Sequence, residues 1–262
     1  MTTAGQAAVE ADIAARRIAG AGTAAAAWAA DPQLAALAPI DIDSLVPPGR
    51  RAVLVAPHPD DEILACAGLL QMLARRAETP LLVAVTDGEG SHPDSPLWPR
   101  ERLRQARPLE TAAALAALQL ADMPVLRLEL ADGGVGAARA ALERVLAELI
   151  GPNDILITTW RHDGHPDHEA TARACIAAAA LRGATVLEVP VWGWHWCAPG
   201  RNAMPLARAR KLALSPLQQV GKRDAMACFH SQLAVDGATG AAPILPGTAL
   251  ERLLTPFELF FV

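Results

Sequence analysis

Between residues 52 and 191 short apolar runs alternate with longer stretches in which apolar side chains recur every three to four positions. The short runs suit buried strands, and the longer period suits helices laid across them. The pattern predicts strands over 52–56, 81–86, 125–130, 155–159 and 185–191, with helices over 62–76, 99–118, 137–150 and 168–182 between them. Such alternation is the mark of βαβ units. With right-handed crossovers it gives an α/β fold, a doubly wound, Rossmann-like, mostly parallel sheet in the order 3-2-1-4-5. The order of strands reverses between the first and the fourth, so a ligand is expected outside the carboxyl ends of those two.

The flanks depart from this rhythm. Residues 1–38 are alanine-rich with helical spacing, and Pro39, Pro47, Pro48 and Gly49 make a hinge, so residues 1–50 read as a helical appendage and linker before a domain over 51–262. After position 191, Trp192, Trp194 and Trp196 alternate, which predicts an extended stretch with three rings on one side and His195 on the other. The rings suit either a sugar-stacking platform or core packing. A basic helix is expected near 205–214 and another helix over 216–229. The proline-rich C-terminal extension ends in an apolar run that reads as an edge strand or a capping segment.

A chain of 262 residues with 52% hydrophobic content can bury a full core. Its net charge of −5 and lack of long Lys/Arg runs argue against a nucleic-acid partner. No apolar run approaches the ~20 residues of an integral membrane segment. Cys66, Cys175, Cys197 and Cys228 are scattered, which fits reduced thiols in a cytoplasmic protein. Arg16-Arg17 has the form of a twin-arginine signal, but Glu10 and Asp12 before it and the alanine-rich stretch after it argue against export. The expected partner is a small molecule, and oligomerisation stays open.

Two motifs carry the chemistry. His58-Pro59-Asp60-Asp61-Glu62 follows the first strand, and His165-Pro166-Asp167-His168-Glu169 follows the fourth. Proline at 59 holds His58 extended while the aspartates enter the first helical turn. His58 and Asp61 can then share one ion with Asp60 beside a coordinated water, and His168 is the better third ligand. Two histidines and a carboxylate can hold a divalent ion and leave a position open for water, the arrangement of a catalytic rather than a structural site. The same set also fits non-haem iron as Fe2+. Asp60 is placed to accept the water proton, and His165 to face the oxyanion or protonate the leaving amine.

With these residues in view, the chain resembles the PIG-L/LmbE-like family of zinc-dependent de-N-acetylases. The resemblance runs from about Arg51 to Gln232: Ala56 to Glu62, Thr86-Asp87-Gly88, Arg107 with Glu110, Asp132-Gly133, His165 to His168, and Lys222 with Ser231-Gln232. It implies His58, Asp61 and His168 as zinc ligands, Asp60 as general base and His165 as electrostatic or acid partner. The implied enzyme is a metal-dependent N-deacetylase acting on an amino sugar or glycoconjugate. Its rivals are an amidase of another conjugate, such as a thiol conjugate, and a catalytically silent binding member of the fold. Arg107, Asp132, Trp192, Trp194 and His195 are the candidate substrate-binding residues. Some relatives carry a tyrosine at the position of Asp163, whereas this chain contains no tyrosine.

Overall fold

The computed structural model describes residues 11, 13, 14 and 16–262; the rest of the expected N-terminal appendage, Glu10 and Asp12 included, lies outside the described residues. The strands β1 (Pro39–Ile40), β2 (Arg51–Ala56), β3 (Leu81–Thr86), β4 (Val125–Leu130), β5 (Asp154–Thr159), β6 (Thr185–Val189), β7 (Ala209–Ala213) and β8 (Phe257–Phe261) form one sheet. Its spatial order is β1-β7-β8-β6-β5-β2-β3-β4. The stretch β4-β3-β2-β5-β6 is parallel throughout and reproduces the expected 3-2-1-4-5 arrangement.

Strand alternation assigns the two faces. Ala52, Leu54 and Ala56 of β2 join the larger core cluster, whereas Val53 and Val55 join the smaller one on the other side. Helix α1 (Asp61–Arg75) covers the first face with Ile63, Leu64, Leu70 and Leu73, beside Ala114 and Leu115 of α2 (Arg100–Ala117). The second face is covered by Leu142 and Leu146 of α3 (Val135–Leu149) and by Ala170, Ala174 and Ala178 of α4 (Pro166–Arg182). Both helices that follow β2 and β5 therefore start at the carboxyl ends of adjacent central strands. Among the described residues no helix is long and apolar enough to cross a membrane.

Three expectations about the C-terminal third are corrected. The terminal run is neither an edge strand nor a cap: β8 lies between β6 and β7, antiparallel to both, with Phe260 and Phe261 fully buried. Residues 205–214 form a short 3-10 turn, Leu206–Arg208, and then β7, because pairing with β8 and β1 outweighs the local helical spacing. Residues Gly193–Trp196 form a helical turn rather than an extended stretch. The Asp163 carboxylate collects the backbone N–H groups of Val191, Trp192 and Gly193 at 2.8–2.9 Å and bends the chain there. The three rings consequently part. Trp194 packs edge-on against Trp28 with centroids 5.1 Å apart, and Trp196 stacks on Trp160.

Helix α5 (Pro216–Met226) brings a buried lysine to the tail strand. Lys222 Nζ donates to Glu258 Oε1 at 3.0 Å, and the same carboxylate accepts the backbone N–H groups of Gly68 and Leu69. Both partners are nearly inaccessible to solvent. Lys222→Met should therefore cost about 3–5 kcal/mol, since it strands a buried carboxylate. Urea denaturation checks this, and adding Glu258→Gln to that variant should recover part of the loss.

Candidate metal centre

The loop after β2 is pinned to the neighbouring strand: Thr86 donates to the Pro57 carbonyl through both its backbone N–H, at 3.1 Å, and its hydroxyl, at 2.8 Å. Asp60 follows with a φ of 119°, a conformation that a non-glycine side chain rarely adopts and that needs support from its surroundings. Support comes from Arg107. Its guanidinium donates to Asp60 Oδ2 at 2.9 Å, to the Pro59 carbonyl at 2.6 Å and to the Gly88 carbonyl at 2.7 Å. A Cβ on Gly88, whose φ is +65°, would lie 1.9 Å from Arg107 Nη1, so glycine is needed for the guanidinium to pass. Gly88→Ala should cost about 1–3 kcal/mol by overpacking, measured by thermal or urea unfolding.

Asp61 opens α1, and its Oδ2 accepts the His58 backbone N–H at 3.0 Å. The same oxygen lies 3.5 Å from His58 Nδ1 and 3.3 Å from His168 Nε2, and those two nitrogens are 3.2 Å apart. Three donor atoms from two adjacent strand ends thus face one another in a nearly equilateral triangle. Bond lengths of about 2.0–2.2 Å around a tetrahedral zinc place neighbouring ligand atoms about 3.3–3.6 Å apart, and the triangle matches that edge. A divalent ion bound there would also relieve the opposition of two ring nitrogens. The residues present fit the metal.

The far side of each histidine is held as well. His168 Nδ1 lies 2.8 Å from Asp163 Oδ2, which fixes the proton on Nδ1 and leaves Nε2 free to ligate. His58 Nε2 faces two carboxylates, Asp132 Oδ1 at 3.3 Å and Asp167 Oδ2 at 3.4 Å. Burial works to lower the His58 pKa, but these two carboxylates and Asp61 carry it well above the ordinary histidine value. Asp132 is itself steadied by the Gly90 N–H, and Asp167 by the N–H groups of Gly133 and Val135. Among the described residues two other groupings also bring potential ligand atoms together, His58 with Asp132 and Asp167, and His58 with His165 and His168. In the first, the carboxylates address the far nitrogen of His58 and already hold backbone amides. The second shares both histidines with the triangle.

Burial pushes the Asp60 carboxyl up and the Arg107 charge opposes this, while Asp61 adds to the rise; the outcome is about 7. His165 is pushed down to about 3 by burial and then by His168 and His58, so its ring is neutral near pH 7. Its Nδ1 accepts the Asp167 backbone N–H at 3.3 Å, which leaves the ring proton on Nε2. His58, Asp60, Asp61, Arg107, His165 and His168 border a cavity of about 550 Å³ that also takes in Trp192, Gln232 and Ile244.

Of the substrate-binding candidates, Arg107, Asp132 and Trp192 line this cavity, although Arg107 reaches Asp60 and Asp132 reaches His58. Trp194 and His195 lie elsewhere. His195 lines a neighbouring cavity, takes Arg252 Nη1 at 3.2 Å and meets the Ala19 carbonyl at 3.0 Å, so it fastens the N-terminal segment. Glu110, one turn beyond Arg107, does not pair with it; it accepts the backbone N–H and hydroxyl of Ser231, both at 2.7 Å. The supporting aspartates 163 and 167 were not singled out from sequence, although each flanks a motif histidine.

The family described as PIG-L: GlcNAc-PI de-N-acetylase matches residues 53–179. Over residues 53–179 the chain is similar to that family. A probable N-acetyl-alpha-D-glucosaminyl L-malate deacetylase 2 of Bacillus cereus is 28% identical over 138 residues, covering 50% of this chain and 61% of that protein. The chain therefore spans about three fifths of the length of this curated relative. Among solved structures, a triple mutant of a deacetylase of the teicoplanin biosynthetic pathway superposes with a TM-score of 0.57 at 18% identity, covering 80% of this chain and 96% of that one. A conserved protein of Thermus thermophilus gives a TM-score of 0.52 at 24% identity, covering 70% and 80%. Both share the fold. The stretch that matches this family holds every corner of the donor triangle, whereas Trp192, Gln232 and Ile244 of the cavity lie beyond it.

Proposed function

We propose that the chain is a zinc-dependent hydrolase that removes an acetyl or related acyl group from an amide nitrogen of an amino sugar or glycoconjugate. The observation that carries this reading is the triangle of His58 Nδ1, Asp61 Oδ2 and His168 Nε2, with edges of 3.2–3.5 Å and Asp60 next to it. These residues would hold the ion. A bound divalent metal supplies Lewis acidity to the amide carbonyl and acidity to a water. Residues 51–262 form the hydrolase domain in this reading, with the N-terminal segment as its appendage. Buried Cys66 and Cys175, both free thiols, agree with a cytoplasmic location.

The chain's own groups divide the remaining work. Asp60 accepts the proton of the attacking water; its carboxyl near pH 7 is tuned for give and take rather than permanent ionisation. Arg107 keeps Asp60 in its unusual backbone conformation and aims Oδ2. Neutral His165 donates its Nε2 proton in a hydrogen bond to the oxygen that becomes negative as water adds. Asp163 and the pair Asp132 and Asp167 keep the two ligating rings oriented.

Metal analysis joined to an acetate-release screen over N-acetylated sugars tests the reading. One zinc per chain and metal-dependent acetate release are expected. Absence of bound metal, or iron with oxygen-dependent turnover, would overturn it.

A further inference from the structure

The cavity has two unlike halves. Around the donor triangle stand Ser91, Arg107, Asp132 and Gln232, and the Gln232 Oε1 is buried without a hydrogen-bond partner among the described residues, an acceptor available to a ligand hydroxyl. Facing them is an apolar wall of Ile18, Leu64, Trp192, Pro243, Ile244 and Leu245. Leu64 alone of these six belongs to the PIG-L stretch; the others come from segments before and after it. The donor triangle thus comes from the matched stretch, and the apolar wall, Leu64 apart, from outside it.

The wall is held in place rather than draped there. Ile18 sits on a strap fastened on both sides: Arg16 pairs with Glu169, next to His168, and His195 meets the Ala19 carbonyl at 3.0 Å. Arg252 donates to the carbonyls of Ala21 and Thr23 further along. Opposite, the Leu245 backbone N–H donates to the Gln232 carbonyl at 2.9 Å, which ties the 243–245 segment to the residue that offers the free acceptor. Ile18, Trp192, Pro243 and Ile244 keep part of their surface exposed while lining the cavity, so apolar area faces the space a substrate would fill.

We propose that this wall is a specificity subsite, and that the substrate is an amphipathic amide carrying an apolar group of several carbons within reach of the scissile bond. The inference rests on the deacylase reading and refines it. A bare N-acetyl sugar would satisfy the polar half and leave the wall wet. Burying each additional methylene against such a surface is worth about a fourfold gain in affinity. The apolar group can sit on either side of the amide, as a longer acyl chain or as an apolar aglycone on the sugar.

Initial rates on N-acetylglucosamine, N-hexanoylglucosamine and octyl N-acetylglucosaminide, measured with metal-loaded enzyme, separate these sources. Either apolar substrate should exceed N-acetylglucosamine in kcat/KM by at least about tenfold, and the one that does so identifies the side of the amide that meets the wall. Ile18→Ser and Ile244→Asp should each collapse that ratio, a readout in which partial unfolding cancels. Calorimetry gives a second reading that needs no turnover, with one product pair for each side of the amide: octyl glucosaminide over glucosamine, or hexanoate over acetate, should bind at least about tenfold more tightly, and the variants should lose the difference. Ratios near one in wild type, or ratios unmoved in both variants, overturn the subsite while leaving the deacylase reading standing. If no amide is hydrolysed, the deacylase reading falls, and the calorimetric preference alone then decides whether the apolar subsite exists.

Discussion

His168→Ala is expected to emerge from purification and dialysis with little of the single zinc expected of the wild-type chain. The His168 Nε2 forms one corner of the donor triangle, at 3.2 Å from His58 Nδ1 and 3.3 Å from Asp61 Oδ2, and alanine leaves two donors where three converged. Loss of an outer partner of a metal ligand typically costs about 10–100-fold in affinity, and loss of the ligand itself should exceed that. Asp163→Ala supplies the comparison, because it frees the His168 ring to rotate without removing it. Chelator-buffered zinc titrations should rank wild type first, Asp163→Ala next and His168→Ala last. The zinc-dependent rise in melting temperature should shrink in the same order, since a ligand that binds the folded state stabilises it in proportion to ln(1 + [L]/Kd). Full zinc occupancy in His168→Ala would remove the ligand assignment.

The parallel half of the fold was legible because each of its central strands is buried on both faces and each helix period is long. Runs such as 52–56 and 155–159 carry no charged residue and are buried at every position, and they lie at the centre of the sheet. The antiparallel extension was illegible for the opposite reason. Residues 209–213 carry Arg210 and Lys211 at partly exposed positions, and their strand character comes from backbone pairing with β8 and β1, chain segments some fifty residues after and more than 160 before. No window of local sequence contains that information. The tryptophans misled in a related way. Alternation at 192, 194 and 196 looks like a strand, but the bend is imposed by a carboxylate some thirty residues upstream, Asp163, which captures three consecutive amides.

At the candidate centre, spacing carried the residues proposed to hold the ion and omitted those that orient them. His58, Asp61 and His168 converge as the two motifs at adjacent strand ends require, since strand order alone brings residues 58 and 168 together. The supporting carboxylates are different. Asp132 belongs to neither motif, and its contact with His58 Nε2 depends on how the loop after β4 folds back across the sheet. Arg107 and Glu110 show the limit of helix-surface reasoning: three residues apart, they invite an ion pair, yet burial gives each a partner from another segment, Asp60 for one and Ser231 for the other.

The neighbouring aspartates at 60 and 61 should respond in opposite ways to the same substitution. Asp60→Asn keeps the shape of the side chain and can still accept from Arg107 through its amide oxygen, but it cannot take up a proton from water. Metal-loaded Asp60→Asn should therefore retain its zinc and lose about 10²–10⁴ in kcat, the usual cost of removing a general base. Asp61→Asn should instead weaken zinc binding, because the amide gives up the charge at the Oδ2 corner that faces both histidines. Burial raises the Asp61 carboxyl but His168 and His58 overcome this and bring it down to about 2, so this group is ionised at any working pH. Asp60, pushed up to about 7, is not. That contrast is what suits one carboxylate to hold a cation and the other to exchange a proton. Rates and metal content measured on the same preparations separate the two roles. A fully metallated Asp60→Asn with wild-type turnover would show that the water proton goes to some other group, and the division of labour between these two side chains would have to be abandoned.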